Sequence, residues 1–217
     1  MEQINDIELR NEAEADYRKT ENAVREAFWN LNVPGCDEHY LTHVMRNHPD
    51  FIPDMDFVAV AGSEILGCIM FTKSRLRNAA GKEIETATFG PVCVLPEYQG
   101  QGIGSALIRK GIERAREKGF PAIVIYGDPR NYCKHGFLNG RDCGISDSEG
   151  RFSYALLALI LNPAKLSGQV WHFHGSEVFG IDAEEARKFD AGFPPKGKKA
   201  TPDQIVFAMQ CRAYLEP

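Results

Sequence analysis

The stretch Thr86–Leu107, TATFGPVCVLPEYQGQGIGSAL, reads as a strand, a glycine-rich turn and the first turns of a helix. Thr86, Thr88, Phe89, Val92 and Val94 favour an extended chain, and Pro96, with no N–H to donate, stops the ladder. The helix opens near Ile103. Ala106, Leu107, Ile108, Ile112 and Ala115 then recur at spacings of three and four, an apolar face that ends at Lys118-Gly119. Between strand and helix, Gln99-Gly100-Gln101-Gly102-Ile103-Gly104 leaves the backbone uncovered at alternate positions. Free N–H groups backed by the positive end of a helix dipole make such a turn an anion site.

Spacing decides which anion site. A dinucleotide fingerprint requires glycine at position 105, which is Ser105, and a P-loop requires a lysine that the Gly104-Ser105 step lacks. Gln99, Gly102 and Gly104 instead fit Gln/Arg-x-x-Gly-x-Gly/Ala, preceded by VCVLPEY. This resembles the acetyl-coenzyme A signature of the GCN5-related N-acetyltransferase (GNAT) family. The resemblance implies an α/β fold with a mixed sheet, a central bulged strand and a neighbouring strand splayed away from it. It implies acetyl-CoA as co-substrate, with Gln99, Gly100, Gln101, Gly102, Ile103, Gly104 and Ser105 holding the pyrophosphate. Val92, Cys93 and Val94 would pair with the pantetheine arm. A second match follows in RNYCKHGF, where the family has a short helix ending in Tyr-x-x-x-Gly-Phe; Tyr132 falls on its tyrosine and Gly136 on its glycine. His135 departs from the pattern, since an apolar or aromatic residue is commoner there.

The 217 residues suffice for one core with a terminal extension. The resemblance covers roughly Ile4 to Leu161, most securely Val92 to Phe137; residues 1–161 are the expected GNAT domain, and residues 162–217 are expected to pack on it as a C-terminal extension. Hydrophobic residues make up 43% and charged residues 25%, and no apolar run approaches the length of a membrane span. A net charge of −5 without a basic stripe gives no support to a nucleic-acid partner. The N-terminus is acidic and lacks the pattern of a secretory signal, and the cysteines at 36, 68, 93, 133, 143 and 211 form no C-x-x-C pair. The expected setting is the cytoplasm, with neither a metal nor a disulfide framework.

Along the chain the patterns predict a strand over Ile4–Leu9, a helix over Glu12–Trp29 and another over Glu38–Asn47. Strands follow at Phe57–Ala61 and from Ile65 toward Leu76, joined by a hairpin at Gly62-Ser63-Glu64. Gly90-Pro91 interrupts the central strand and marks an edge or a bulge, of which the resemblance implies the bulge. Ala122–Tyr126 reads as a buried strand parallel to it. Ser153–Leu161 and Val170–His174 are further strands, Asp182–Asp190 is a helix, and Thr201 caps a last helix running to about Leu215. His39 and His43 share a face near the acceptor region of the family. His172 and His174 share another, with a structural role expected.

The reaction implied is direct attack of a primary amine, small-molecule or peptide, on the thioester, with Tyr132 as general acid toward the departing sulfur. Glu85, Asp128 and His135 are candidate bases, with a water chain as another route. Cys93 and Cys133 lack a local basic partner for covalent catalysis. A non-catalytic acyl-CoA sensor and a different phosphate-binding module are the rival readings. The extension is unassigned among sheet cover, acceptor site and homodimer contact.

Overall fold

The computed structural model describes residues 7–166 and 168–216. Eleven strands and six α-helices follow in chain order: β1 (Glu8–Asn11), α1 (Tyr17–Phe28), α2 (Glu38–Met45), β2 (Phe57–Ala61), β3 (Glu64–Asn78), β4 (Glu83–Val94), α3 (Ile103–Glu117), β5 (Ala122–Tyr126), α4 (Pro129–Tyr132), β6 (Leu138–Asn139), β7 (Ile145–Ser146), β8 (Phe152–Ser153), β9 (Leu156–Ile160), β10 (Trp171–His174), α5 (Ala183–Asp190), α6 (Pro202–Cys211) and β11 (Tyr214–Leu215). The main sheet runs β1-β2-β3-β4-β5-β9-β6, a mixed α/β architecture as expected. The meander β2-β3-β4 is antiparallel, and β5 joins β4 in parallel after the α3 crossover.

The apolar positions sort onto two faces because side chains alternate along a strand. On one face α3 lays Ile103, Leu107, Ile108, Ile112 and Ala115 against the sheet. Contact there is close enough that a Cβ on Gly111 would lie 2.5 Å from the Phe71 ring. On the other face α1 contributes Ala23 and Val24, and α2 packs Leu41 and Met45 on Met70.

The predicted first strand begins later than its sequence pattern, at Glu8; Ile4, Asn5 and Asp6 lie outside the described residues. The first helix also starts late, at Tyr17, after a 3-10 turn over Glu14–Asp16. The Asp16 carboxylate accepts from Ala13 N–H at 2.9 Å and so caps that turn, while Glu12, ahead of it, is held by the Arg46 guanidinium at 2.8 Å.

The C-terminal part departs most from its pattern. Ser153–Leu161 divides into β8 and β9 around a turn at Tyr154-Ala155, where Ser153 Oγ accepts from Ala155 N–H at 3.3 Å. The last helix stops at Cys211, four residues before Leu215, and the chain returns as β11 against β8. Trp171 is fully buried and its strand pairs with the distal half of β3, so part of the extension completes the sheet. Its remainder wraps α1: Arg25 donates to Asp190 at 2.6 Å and to Pro194 O at 3.1 Å, and Trp29 Nε1 donates to Gly197 O at 2.9 Å.

Candidate active site

Strand β4 has two unlike flanks. Toward β3 it pairs from Arg77↔Glu83 to Gly67↔Val94, with one register shift between Ile69 and Phe71 where Gly90-Pro91 adds a residue. Toward β5 the pairing is confined to Ala87↔Ile123. Beyond that point Thr88 Oγ1 reaches across to Val124 O at 2.8 Å, a side chain standing in for the ladder at the apex of a fork. The fork is the predicted splay.

Leu95 N–H donates to Leu66 O at 2.8 Å, so in this stretch the odd residues direct their backbone groups to β3. By alternation Cys93 lies in the ladder, its thiol 3.7 Å from that of Cys68, whereas Val92 and Val94 turn their backbone groups into the fork. Val94 O is taken by the Gln99 side-chain amide at 3.0 Å, which fastens the turn to the strand end.

Gly100 and Gly102 have φ of 75° and 87°, a region side chains disfavour, and a Cβ on either would meet nothing within 4 Å. Gly102 is the N-cap of α3 and supplies no side-chain cap. Among the described residues the N–H groups of Gly100, Gln101, Gly102, Ile103, Gly104 and Ser105 have no hydrogen-bond partner. The Ile103 side chain is buried in the core, so only its backbone is presented. Six unsatisfied donors on a turn at a helix N-terminus form a cradle able to receive an anion.

The fork and the turn open into one cleft of about 1360 Å³, lined by Val92, Cys93, Val94, Gln99, Gly104 and Ser105. Tyr132 lines it as well. Its ring packs against Phe89 at 5.6 Å and Phe137 at 6.0 Å, and a Cβ on Gly127 would sit 2.3 Å from it, so Gly127 is required by the ring. Burial, with Asp128 nearby, pushes the phenol up to about 12, which keeps it protonated.

The three candidate bases separate. Glu85 faces a different pocket, of about 640 Å³, and lies 3.5 Å from Lys73. Asp128 is in the cleft, but the Arg130 guanidinium at 2.6 Å holds its carboxyl below the usual range. His135 Nε2 lies 3.5 Å from Ser105 Oγ; burial, then Lys134 and Arg109, hold its imidazole low. That places positive charge beside the cradle and leaves the histidine neutral at pH 7.

The histidines of α2 are structural. His39 is buried, with Nε2 3.1 Å from Asp190, and His43 contacts Glu21 at 3.0 Å under Phe189. His172 pairs with Ser146 at 2.8 Å. Among the described residues no three His, Cys, Asp or Glu side chains form a metal-binding group, and no helix is long and apolar enough to cross a membrane. Sequence reasoning missed two parts of the cleft. One is Glu38 on α2; the other is α6, which brings Val206, Phe207 and Gln210 over the opening.

The model of the acetyltransferase (GNAT) family matches residues 22–142. The chain belongs to the GNAT family. Curated GNAT relatives include the uncharacterized N-acetyltransferase YjhQ of Escherichia coli, 33% identical over 85 residues, covering 39% of this chain and 46% of that protein. Another, the E. coli uncharacterized N-acetyltransferase YhbS, is 28% identical over 74 residues, covering 34% and 42%. The chain thus spans about half the length of these relatives or less. Among solved GNAT structures, E. coli YhbS in complex with CoA superposes with a TM-score of 0.69 at 22% identity, over 81% of this chain and 92% of that one. A Brucella melitensis GNAT acetyltransferase in complex with acetyl-CoA gives 0.63 at 23% identity, over 80% and 98%.

Proposed function

We propose that this chain is an acetyl-CoA-dependent N-acetyltransferase that moves the acetyl group to a primary amine by direct attack, without a covalent enzyme intermediate. The observation that carries the reading is the junction of the two features of β4 in one cleft: an unpaired strand flank and an adjoining turn of unsatisfied N–H groups. Gln99 to Ser105 bind the pyrophosphate. Val92 and Val94 pair with the amide groups of the pantetheine arm, and Cys93 keeps that strand in register. The thioester is thereby fixed beside the bulge at Gly90-Pro91, and most of the rate gain comes from positioning and from N–H groups that meet the developing oxyanion.

The acceptor nitrogen attacks the acyl carbon, the carbon–sulfur bond breaks with its electron pair on sulfur, and Tyr132 supplies the proton that sulfur requires. A phenol raised to about 12 is always loaded for that task at neutral pH. The relatives solved with CoA and acetyl-CoA support the choice of co-substrate. Residues 1–161 form the catalytic unit and 162–217 an extension that completes its sheet and roofs its cleft. The Ile205–Met209 face of α6, exposed at 66% and 67%, is the proposed homodimer contact, and the cytoplasm is the proposed compartment.

Calorimetric titration with CoA, followed by a thiol-release assay over a panel of amines, tests the reading. Binding with turnover supports it. Tight binding without turnover on any amine favours a sensor, and no binding removes the assignment.

A further inference from the structure

Four carboxylates line the cleft, at Glu38, Asp128, Asp147 and Asp203, and three of them already face cations. Asp128 pairs with Arg130 at 2.6 Å, Asp147 pairs with Arg151 at 3.1 Å, and Asp203 adds its field to Arg130. Glu38 is different. It accepts from Asn32 Nδ2 at 3.3 Å and from Asp37 N–H at 3.1 Å, and among the described residues no cation pairs with it. A carboxylate has about four acceptor sites, so two remain. Burial raises the Glu38 carboxyl above the ordinary range.

Its position follows from the helix. Glu38 precedes Leu41 by three residues and so shares its inward face on α2. Leu41 packs on Met70, which lies opposite the Gly90-Pro91 bulge at the register shift. Leu41, Gly90 and Pro91 line the same cleft, so the carboxylate lies about one helical turn, roughly 5 Å along the axis, from a residue of the wall that the bulge shares. Apolar side chains line the same cleft: half-buried Phe28 at the end of α1, exposed Leu31 just after it, and exposed Val206 and Phe207 on α6. No residue of α6 is buried, although Ile205, Val206, Phe207 and Met209 make it one of the more apolar helices of the chain.

We propose that Glu38 is the floor of an ammonium subsite with an apolar sleeve, and that the acceptors of this protein are primary amines borne on a hydrophobic or aromatic body. This rests on the acetyl-transfer reading above. Glu38 pairs with the incoming ammonium and takes one proton from it. The neutral nitrogen then bonds to the acyl carbon, sulfur leaves with the bonding pair and is protonated by Tyr132, and the surplus proton on the new amide nitrogen restores the phenol through water. The proton on Glu38 passes to solvent. One equivalent of ammonium and thioester thus yields amide, thiol and one released proton. Polyamines and amino sugars fit less well, because Asp128 and Asp147 are already paired with arginines and the Phe28, Leu31, Val206 and Phe207 side of the cleft offers a hydroxyl no partner.

The test is a thiol-release assay with 2-phenylethylamine, hexylamine, ethylamine, spermidine and glucosamine on the full chain, with CoA affinity measured separately. The wild type is expected to favour the first two over spermidine and glucosamine by more than tenfold in kcat/KM. Glu38→Gln should raise the KM for 2-phenylethylamine at least tenfold and leave CoA affinity unchanged, and Phe207→Ala should narrow its advantage over ethylamine. A preference for spermidine or glucosamine, or an unaltered KM in Glu38→Gln, overturns the subsite while the acetyl-transfer reading stands. Should Glu38→Gln lose its fold, the amine ranking of the wild type still decides. If the wild type binds no CoA, the acetyl-transfer reading fails and the subsite with it.

Discussion

The two flanks of β4 are made by the same residues and do opposite things. Against β3 the strand is hydrogen-bonded along ten residue pairs, and against β5 at one. The paired flank contributes stability in the usual way, through satisfied backbone groups and buried side chains. The open flank leaves the Val92 backbone groups and the Val94 N–H uncommitted, a cost comparable to lost hydrogen bonds unless water or a ligand meets them, while the Val94 carbonyl is held by Gln99. Pairing therefore holds the strand in place, and its absence on the other side gives the strand something to bind with. Thr88 marks the border between the two regimes.

Substitutions on the two flanks should dissociate binding from stability. The largest effect is expected for Gly102→Glu, on the open side. A side chain at φ near 87° is strained and would put a carboxylate into the proposed diphosphate cradle, so CoA affinity should fall about 1000-fold, roughly 4 kcal/mol, against a stability loss of only about 1 kcal/mol. On the paired side, a Cβ on Gly67 would lie 2.3 Å from Cys93 O, a backbone atom that cannot step aside. Gly67→Ala should cost about 2–3 kcal/mol in urea unfolding, as overpacking does.

Tyr132→Phe should lower kcat about 10- to 100-fold with CoA affinity nearly unchanged, read by thiol release and calorimetry. Because the phenol is raised to about 12, its acid form persists through neutral pH and is lost only as pH approaches that value. The rate should therefore show no Tyr132-dependent decline below about pH 11. The smallest effect belongs to the border. Thr88→Val removes the hydroxyl that donates to Val124 O, and about 1 kcal/mol of stability should go with it, without any change in register.

The parts of this site that sequence reveals are those whose structure is set locally. Gly100, Gly102 and Pro96 fix the turn, and the period of Ile103 to Ala115 fixes the helix behind it, so the cradle is readable before any fold is known. Gly90-Pro91 likewise announces the bulge, since a strand accommodates that pair only by breaking step. Asp182 announces α5 by accepting from Glu184 and Glu185 N–H at 2.8 and 3.0 Å.

The remainder depends on long-range contacts. The turn between β8 and β9 contains neither glycine nor proline, and its Ala155 carbonyl is held by Gly127 N–H at 2.9 Å from another part of the chain. Glu85 is close to the cradle in sequence, yet strand length carries it to a separate pocket. Glu38, more than fifty positions from the cradle in sequence, shares its cleft. The α6 wall is legible only once Gln204 is seen donating to Asn30 O at 3.0 Å, which pins the helix beside α1.

The central claim is that the free amides of residues 100–105 and of Val92 and Val94 are the binding surface. Amide hydrogen exchange followed residue by residue, with and without saturating CoA, addresses it directly. Strong protection gained at those amides, with the β3–β4 ladder protected in both states, is the predicted result. Protection gained elsewhere while the turn continues to exchange freely would contradict it.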